Sequence, residues 1–281
     1  MKVLFDGESY RVENTDPTAR LRIVCLCCDD PQQNYLIAQL ASRFNLVGAI
    51  IESNRQQLRR LWATKNYVTW LYRRWHSLRQ KITGRRQYRE KYFAPLINGV
   101  QPPAKYEVEW IGSKKTIEIL NRLRPDVTIV SGTMYVPKSI IDCAGLIINV
   151  HGGFLPDYRG NHCIFFAYYK KDYEKIGATL HVLTKELDKG DIIEVVRPPI
   201  YPHDNDEHLY CRSLHKAMLR LFAIIDSFEK GELRIACESQ AGKQAAMFRH
   251  RDRKPRYDLA VALRRLVRKQ CVPHIPQNGD F

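Results

Sequence analysis

The chain has 281 residues, enough for one large domain or for one domain with an appendage. Its formal net charge is +15, more than solubility requires, and a strongly basic surface is therefore predicted. Three of the eight cysteines lie in a predicted buried strand and the rest are scattered, which predicts reduced thiols and a cytoplasmic location. The two matched pairs of a zinc site are missing, so no structural metal is expected. No stretch has the pattern of a signal peptide or of a membrane span.

The chain opens with a β-α-β pattern. Apolar runs at 21–28 and 46–52 predict two buried strands, and residues 32–44 between them predict a helix. This order is typical of a Rossmann-like half, in which parallel strands alternate with covering helices. The turn after the first strand contains Asp29 and Asp30 and no glycine, which argues against a phosphate-binding turn at this point.

Residues 53–95 are the most basic part of the chain, with twelve lysines and arginines against a single glutamate. Leucines and tryptophans recur at three- and four-residue steps, which predicts one or two amphipathic helices inserted after the second strand. The simplest interpretation docks their apolar face on the core and leaves the charges in solvent. Three others stay open: a flank that attracts an anionic substrate, a nucleic-acid patch, and contact with an anionic membrane surface.

Two later stretches place polar side chains at the ends of predicted strands. NVHGGFLPDYRG, at 149–160, follows a strand that begins near residue 146, and HVLTKELDKGDII, at 181–193, contains Asp188. Ligands in open parallel sheets bind beyond the carboxyl ends of strands, so an amide, an imidazole and a carboxylate are expected to converge there. Such a trio can stabilise an oxyanion and move protons during acyl transfer.

The paired motifs N-x-H-G-x-x-L-P-x-Y-R-G and H-x-x-T-x-E-L-D-x-G-x-I-I resemble the catalytic core of the 10-formyltetrahydrofolate-dependent formyltransferases. The resemblance covers residues 21–227 and is strongest over 127–198. It implies an α/β, Rossmann-like formyltransferase fold: a mostly parallel twisted sheet flanked by helices, with the basic helical insert and a small C-terminal extension. We assign residues 1–230 to the catalytic domain and residues 231–281 to the extension.

The resemblance also implies roles for individual residues. Asn149, His151 and Asp188 would be catalytic, and Tyr158 and Arg159 would contact the acceptor. The residues expected to hold the folate are Met134, Tyr135, Val136, His181, Lys185, Glu186 and Leu187. Two of these roles have an equally expected alternative. His181 could instead be a hydrogen-bonded residue of its strand, and Arg159 could instead anchor its loop.

The implied activity is transfer of the formyl group of 10-formyltetrahydrofolate to a primary amine. A nucleotide-linked amino sugar ranks first as the acceptor, because neither a glycine-rich phosphate turn nor an appended tRNA-binding barrel is evident. Another small amine, hydrolysis of the formyl donor, and a non-catalytic RNA- or membrane-binding protein are the alternatives. A homodimer and peripheral membrane contact through the insert stay open, and a nucleic-acid partner is not expected.

Overall fold

A seven-stranded sheet lies at the centre of the computed structural model, which describes residues 1–13, 18–97, 104–184, 190–240, 242 and 245–268. The described strands are β1 (Lys2–Phe5), β2 (Ser9–Glu13), β3 (Ile23–Cys27), β4 (Leu46–Ile51), β5 (Lys105–Glu107), β6 (Val127–Ser131), β7 (Leu146–His151), β8 (Tyr158–Gly160), β9 (Ala178–Val182), β10 (Ile192–Val196), β11 (Ile235–Ala236) and β12 (Ala246–Phe248). The described α-helices are α1 (Pro31–Arg43), α2 (Asn54–Ala63), α3 (Tyr67–Ile82), α4 (Arg85–Phe93), α5 (Lys114–Leu123), α6 (Lys138–Ile141), α7 (Cys163–Lys170), α8 (Asp206–Glu229) and α9 (Pro255–Arg268). Short 3₁₀ turns lie at Ala94–Ile97, Tyr173–Lys175 and His250–Asp252.

The strand order of the central sheet is β10-β9-β7-β6-β3-β4-β5. Four of its six pairings are parallel, and β9 runs antiparallel to both β7 and β10. Helices pack on both faces, as a parallel sheet requires, because crossover connections place them there. The predicted mostly parallel, Rossmann-like sheet is therefore confirmed.

Both faces of the sheet are buried, and β3 shows how. Its five residues are all buried and alternate between two apolar clusters. Cys25 faces a cluster that includes Leu36 of α1 and Leu221 of α8, whereas Leu26 faces a cluster that includes Leu120 of α5. The continuous apolar run that predicted a buried strand is thus explained by helices on either side. None of the seven described cysteines forms a disulfide bond.

The two ends of the chain join the body of the fold by strand pairing. β1 and β2 form an antiparallel hairpin, and β11 pairs with β2. Ser9–Glu13 contains no continuous apolar run, and only its first residue is buried. β12 lies parallel to β8, which brings the segment after residue 245 beside the loop that follows β7.

The basic insert contains three helices, where one or two were expected. Lys65 and Gly84 have left-handed backbones, with φ of 57° and 69°, and each separates two helices of the insert. The Asn66 side chain accepts a hydrogen bond from the backbone of Thr69 (3.3 Å) and caps α3. None of the helices in the described ranges combines the length and the apolar character that crossing a bilayer requires.

Candidate active site

A cavity of about 1000 Å³ opens at the carboxyl ends of β3, β6 and β7. Its wall includes Cys28 after β3, Gly132 after β6, and Asn149 and His151 at the end of β7. A β-carbon on Gly132 would lie 2.8 Å from the Cys28 sulfur, so only glycine allows these two strand ends to approach this closely. The cavity lies where open parallel sheets bind their ligands.

Asn149 is the one residue of β7 that is not fully buried. Its amide nitrogen lies 2.9 Å from Nε2 of His181, which stands opposite it on β9. Since the amide nitrogen can only donate, His181 carries its proton on Nδ1, which lies 3.0 Å from the Val182 carbonyl oxygen. The imidazole therefore fixes the rotamer of Asn149, whose side chain reaches the cavity wall.

His151 also lines the cavity and is 8% exposed. A β-carbon on Gly153 would lie only 2.5 Å from its Nε2, so a side chain at Gly153 would displace the imidazole. Thr179 of β9 secures this loop, because its hydroxyl donates to the Gly153 carbonyl oxygen (2.7 Å) and accepts from the Leu155 amide (3.1 Å). The glycine at position 153 of the motif is thus a requirement of close packing around His151.

Met134, Tyr135 and Val136 line the same cavity as Asn149 and His151. The structure therefore brings together one of the two predicted folate segments and two of the three predicted catalytic residues. Four predicted site residues lie outside the described residues: Lys185, Glu186, Leu187 and Asp188. Their assigned roles therefore stay predictions. The described part of the chain contains no group of three or more His, Cys, Asp or Glu side chains arranged to hold a metal ion.

Three residues predicted to contact ligands lie away from the cavity wall. His181 is buried behind Asn149. The Tyr158 hydroxyl donates to Asp172 (2.9 Å), and the Arg159 guanidinium donates to Gln240 (2.9 Å). The pairing of β8 with β12 explains the last two positions, because it holds Tyr158 and Arg159 inside the fold. The ligand contacts predicted for His181, Tyr158 and Arg159 therefore stay predictions, and in the structure these side chains bond to other residues of the fold.

The insert turns charged side chains toward the cavity, contrary to the simplest interpretation of its sequence. Arg73 and His76 of α3 and Arg89 of α4 all line it. Arg89 is 8% exposed, and its Nε donates to the Glu207 carboxylate at 2.6 Å. Arg73 donates to the side chain of Asn54 (3.0 Å) and has no carboxylate partner among the described residues. Arg73 therefore brings a positive charge to the cavity, and carboxylates also line it: Asp29, Asp30, Glu90, Asp206 and Glu207.

Three histidines from distant segments meet at the cavity: His76 of α3, His162 before α7 and His250 after β12. The ring centroids of His76 and His162 are 4.5 Å apart, and His162 Nε2 lies 3.2 Å from His250 Nδ1. Among the described residues, the second ring nitrogen of each histidine has no hydrogen-bond partner. The sequence offered a signal only for His162, which directly follows the N-x-H-G motif loop.

Burial, reinforced by nearby positive charge, lowers the pKa of all three histidines, and that of His250 to about 4. Because these values lie below the unfolded value of about 6.5, protonation favours unfolding. We expect the free energy of unfolding to be greatest above pH 6.5 and to fall on acidification, by up to about 1.4 kcal/mol per pH unit for each histidine. Denaturant unfolding at pH 7.5 and 5.5 measures this slope.

His162→Asn should reduce the change of the free energy of unfolding between pH 7.5 and 5.5. His203→Asn, at an exposed position, should leave that change as it is in the unmodified chain. An identical slope in the two variants contradicts the assignment.

The sequence matches the family model described as Formyl transferase over residues 80–224, just over half of the chain. The chain belongs to the formyl transferase family. Asn149 and His151 both fall within the matched region, as does the segment 134–136 that lines the same cavity. The resemblance inferred from the paired motifs is therefore confirmed at the level of the family.

The chain is 33% identical over 94 residues to methionyl-tRNA formyltransferase of Streptococcus pyogenes serotype M2 (strain MGAS10270). It is 29% identical over 130 residues to the enzyme of the same name from Streptococcus sanguinis (strain SK36). These matches cover 34% and 46% of this chain but only 30% and 41% of the two relatives. The chain thus spans less than half the length of the curated relatives it matches.

Two solved structures share the fold. A sugar N-formyltransferase from a Shewanella species is 16% identical, with a TM-score of 0.51 over 81% of this chain and 77% of that one. Glycinamide ribonucleotide transformylase 1 from Symbiobacterium toebii is 16% identical, with a TM-score of 0.52 over 78% of this chain and 92% of that one. The acceptors named for the relatives and neighbours thus differ, and their likeness to this chain does not choose among them.

Proposed function

We propose that this chain is an N-formyltransferase that moves the formyl group of 10-formyltetrahydrofolate to a primary amine. One observation carries the proposal: Asn149 and His151 line a single strand-end cavity together with 134–136, in a chain of the formyl transferase family. Members of this family generally take their formyl group from 10-formyltetrahydrofolate. A cavity of about 1000 Å³ is large enough to hold both a donor and an acceptor.

In the proposed reaction the amine nitrogen attacks the formyl carbon, and negative charge develops on the formyl oxygen. Asn149 donates an N–H to that oxygen, with its amide held by His181. As the bond between the formyl carbon and N10 breaks, N10 takes up a proton and the attacking nitrogen loses one. His151 is the proposed carrier of that proton, and Asp188 remains the predicted carboxylate partner of the imidazole.

We propose a nucleotide-linked amino sugar as the acceptor. Arg73 supports this choice, because its guanidinium lines the cavity and can bind phosphoryl oxygens. A neutral imidazole can add an N–H donor, and the histidines 76, 162 and 250 line the same cavity. The turn after β3 offers no competing phosphate site. There the Asp29 carboxylate accepts from the backbone of Asn54 (2.7 Å), and Asp30 lies 3.9 Å from the Arg89 guanidinium.

Arg73→Met should raise the KM for a nucleotide-linked amino sugar about ten- to a hundredfold, since a hydrogen bond to a charged group is worth about 1.5–3 kcal/mol. The KM for 10-formyltetrahydrofolate should change much less. Arg74→Met is the matched control, because Arg74 is the next residue of α3 and is exposed. Steady-state kinetics that show the same acceptor KM in both variants contradict the phosphoryl assignment.

The function itself is tested by mixing the protein with 10-formyltetrahydrofolate and a panel of nucleotide-linked amino sugars, free amino sugars and amino acids. Release of tetrahydrofolate should require an amine and should be fastest with a nucleotide-linked amino sugar. Equal release without any amine would identify a hydrolase. No release with any amine, together with no folate binding, would leave a non-catalytic binding protein on the same fold.

A further inference from the structure

Helix α3 presents its polar face to the cavity and its apolar face to solvent. Arg73, His76 and Gln80 line the cavity. On the other side of the helix, five apolar side chains are between 37% and 74% exposed: Val68, Leu71, Trp75, Leu78 and Ile82. An amphipathic helix of a globular protein normally buries its apolar stripe, so the orientation of α3 is reversed.

The five exposed residues form a continuous stripe. At 100° per residue they fall within an arc about 80° wide that runs the length of α3. Scattered exposed apolar residues are normal, but a contiguous apolar surface marks an interaction site. The exposed rings of Trp62 and Tyr67, with centroids 5.0 Å apart, continue this surface at the start of the helix.

Positive charge borders the stripe. Arg74 and Lys81 are exposed along one edge of α3, and Arg55, Arg59 and Lys65 are exposed on α2 and the turn that follows it. The insert carries twelve positive charges and one negative charge, Glu90, which pairs with Arg86 within α4. A helix with an apolar stripe, aromatic residues and flanking basic residues has the composition of one that lies flat in a lipid headgroup layer.

A second copy of the chain is the main competing occupant of this surface. In a two-fold dimer the same patch lies on both subunits, so the cations of one insert would face those of the other. Anionic lipid headgroups neutralise these charges instead, and each basic residue near such a surface favours binding. Charge complementarity therefore selects the lipid surface over self-association.

We infer that α3 docks this protein on an anionic membrane surface, with its apolar stripe inserted among the headgroups and the cavity behind it. Helix α9 carries a second, shorter stripe of exposed residues: Leu259, Leu263 and Leu266. Its first turn is joined to α3 by an ion pair between Arg79 and Asp258 (3.0 Å). The inference does not depend on the proposed reaction, because none of the stripe residues lines the cavity.

The test is co-sedimentation of the full chain with vesicles of phosphatidylcholine alone and of phosphatidylcholine with phosphatidylglycerol. We expect binding to the mixed vesicles, weakened by added salt. Leu71→Asp should weaken it at least tenfold, because it removes an exposed leucine that the headgroup layer would bury and adds a charge that the anionic headgroups repel. Leu219→Asp, at an exposed position of α8, is the matched control and should bind as the unmodified chain does.

Each other outcome overturns the inference. No binding to the mixed vesicles excludes a lipid surface, and equal binding to both vesicle types excludes headgroup charge as the attraction. Equal losses of vesicle binding in Leu71→Asp and Leu219→Asp would show that α3 does not contact the membrane. A concentration-dependent dimer in sedimentation velocity that Leu71→Asp dissociates assigns the stripe to a second copy. Amine-dependent formyl transfer, measured in parallel on soluble acceptors, should be the same in both variants.

Discussion

Replacing Asn149 by alanine is expected to lower kcat for formyl transfer about a hundred- to a thousandfold. The reason is that a hydrogen-bond donor aimed at a developing oxyanion is typically worth about 3–4 kcal/mol. The affinity for 10-formyltetrahydrofolate should change little, because this interaction strengthens only as negative charge builds on the formyl oxygen. Stopped-flow or steady-state release of tetrahydrofolate measures the rate, and fluorescence titration measures folate binding.

Asn45→Ala is the matched control, because Asn45 is exposed between α1 and β4 and lies outside the cavity. It should leave kcat unchanged. His181→Asn adds a positioning test, since Asn149 would keep its amide but lose the imidazole that orients it. An Asn149→Ala variant that keeps more than a tenth of the kcat while folding normally would show that the amide does not stabilise the transition state.

Replacing Arg89 by methionine is expected to destabilise the fold by about 3–5 kcal/mol. The guanidinium is buried, and its Nε lies 2.6 Å from the carboxylate of Glu207. Burial alone disfavours the cation, but Glu207 and Asp30 outweigh this and raise the pKa of Arg89. The variant leaves the Glu207 carboxylate buried without its partner, and that unpaired charge is the source of the loss.

Urea unfolding at pH 7.5 measures the free energy of unfolding for the wild type, Arg89→Met, Glu207→Leu and the double variant. The double variant should recover most of the stability, because replacing a buried ion pair by apolar side chains is often close to neutral. Arg86→Met is the control, since Arg86 is exposed and pairs with Glu90 on the helix surface. Additive losses in the double variant would show that the two residues act independently.

Much of the sheet could be predicted because buried strands appear in the sequence as short, contiguous apolar runs. Residues 23–28 are apolar at every position, which is the requirement for a strand covered on both faces, and β3 is buried throughout. The site was also accessible to sequence reasoning where it follows such runs. Asn149 and His151 terminate β7, and the carboxyl ends of parallel strands meet at one edge. The role of Asp188 stays a prediction, because it lies outside the described residues.

Other features could not be predicted because they depend on partners far along the chain. The histidines 76, 162 and 250 come from the insert, the motif loop and the C-terminal segment, and no periodicity relates them. Tyr158 and Arg159 belong to the motif, yet the pairing of β8 with β12 holds them inside the fold. His181 matches the motif as a ligand-binding residue, but the register of β9 against β7 sets it behind Asn149.

The sequence by itself determined the family, the mostly parallel sheet and the two polar side chains that end β7, because each depends on a contiguous stretch of residues. The direction in which α3 faces was decided by tertiary structure alone. Amphipathic spacing separates two faces of a helix but does not say which one turns inward. In this protein the cavity receives the arginine and histidine side of α3, and the leucine and tryptophan side is left to solvent.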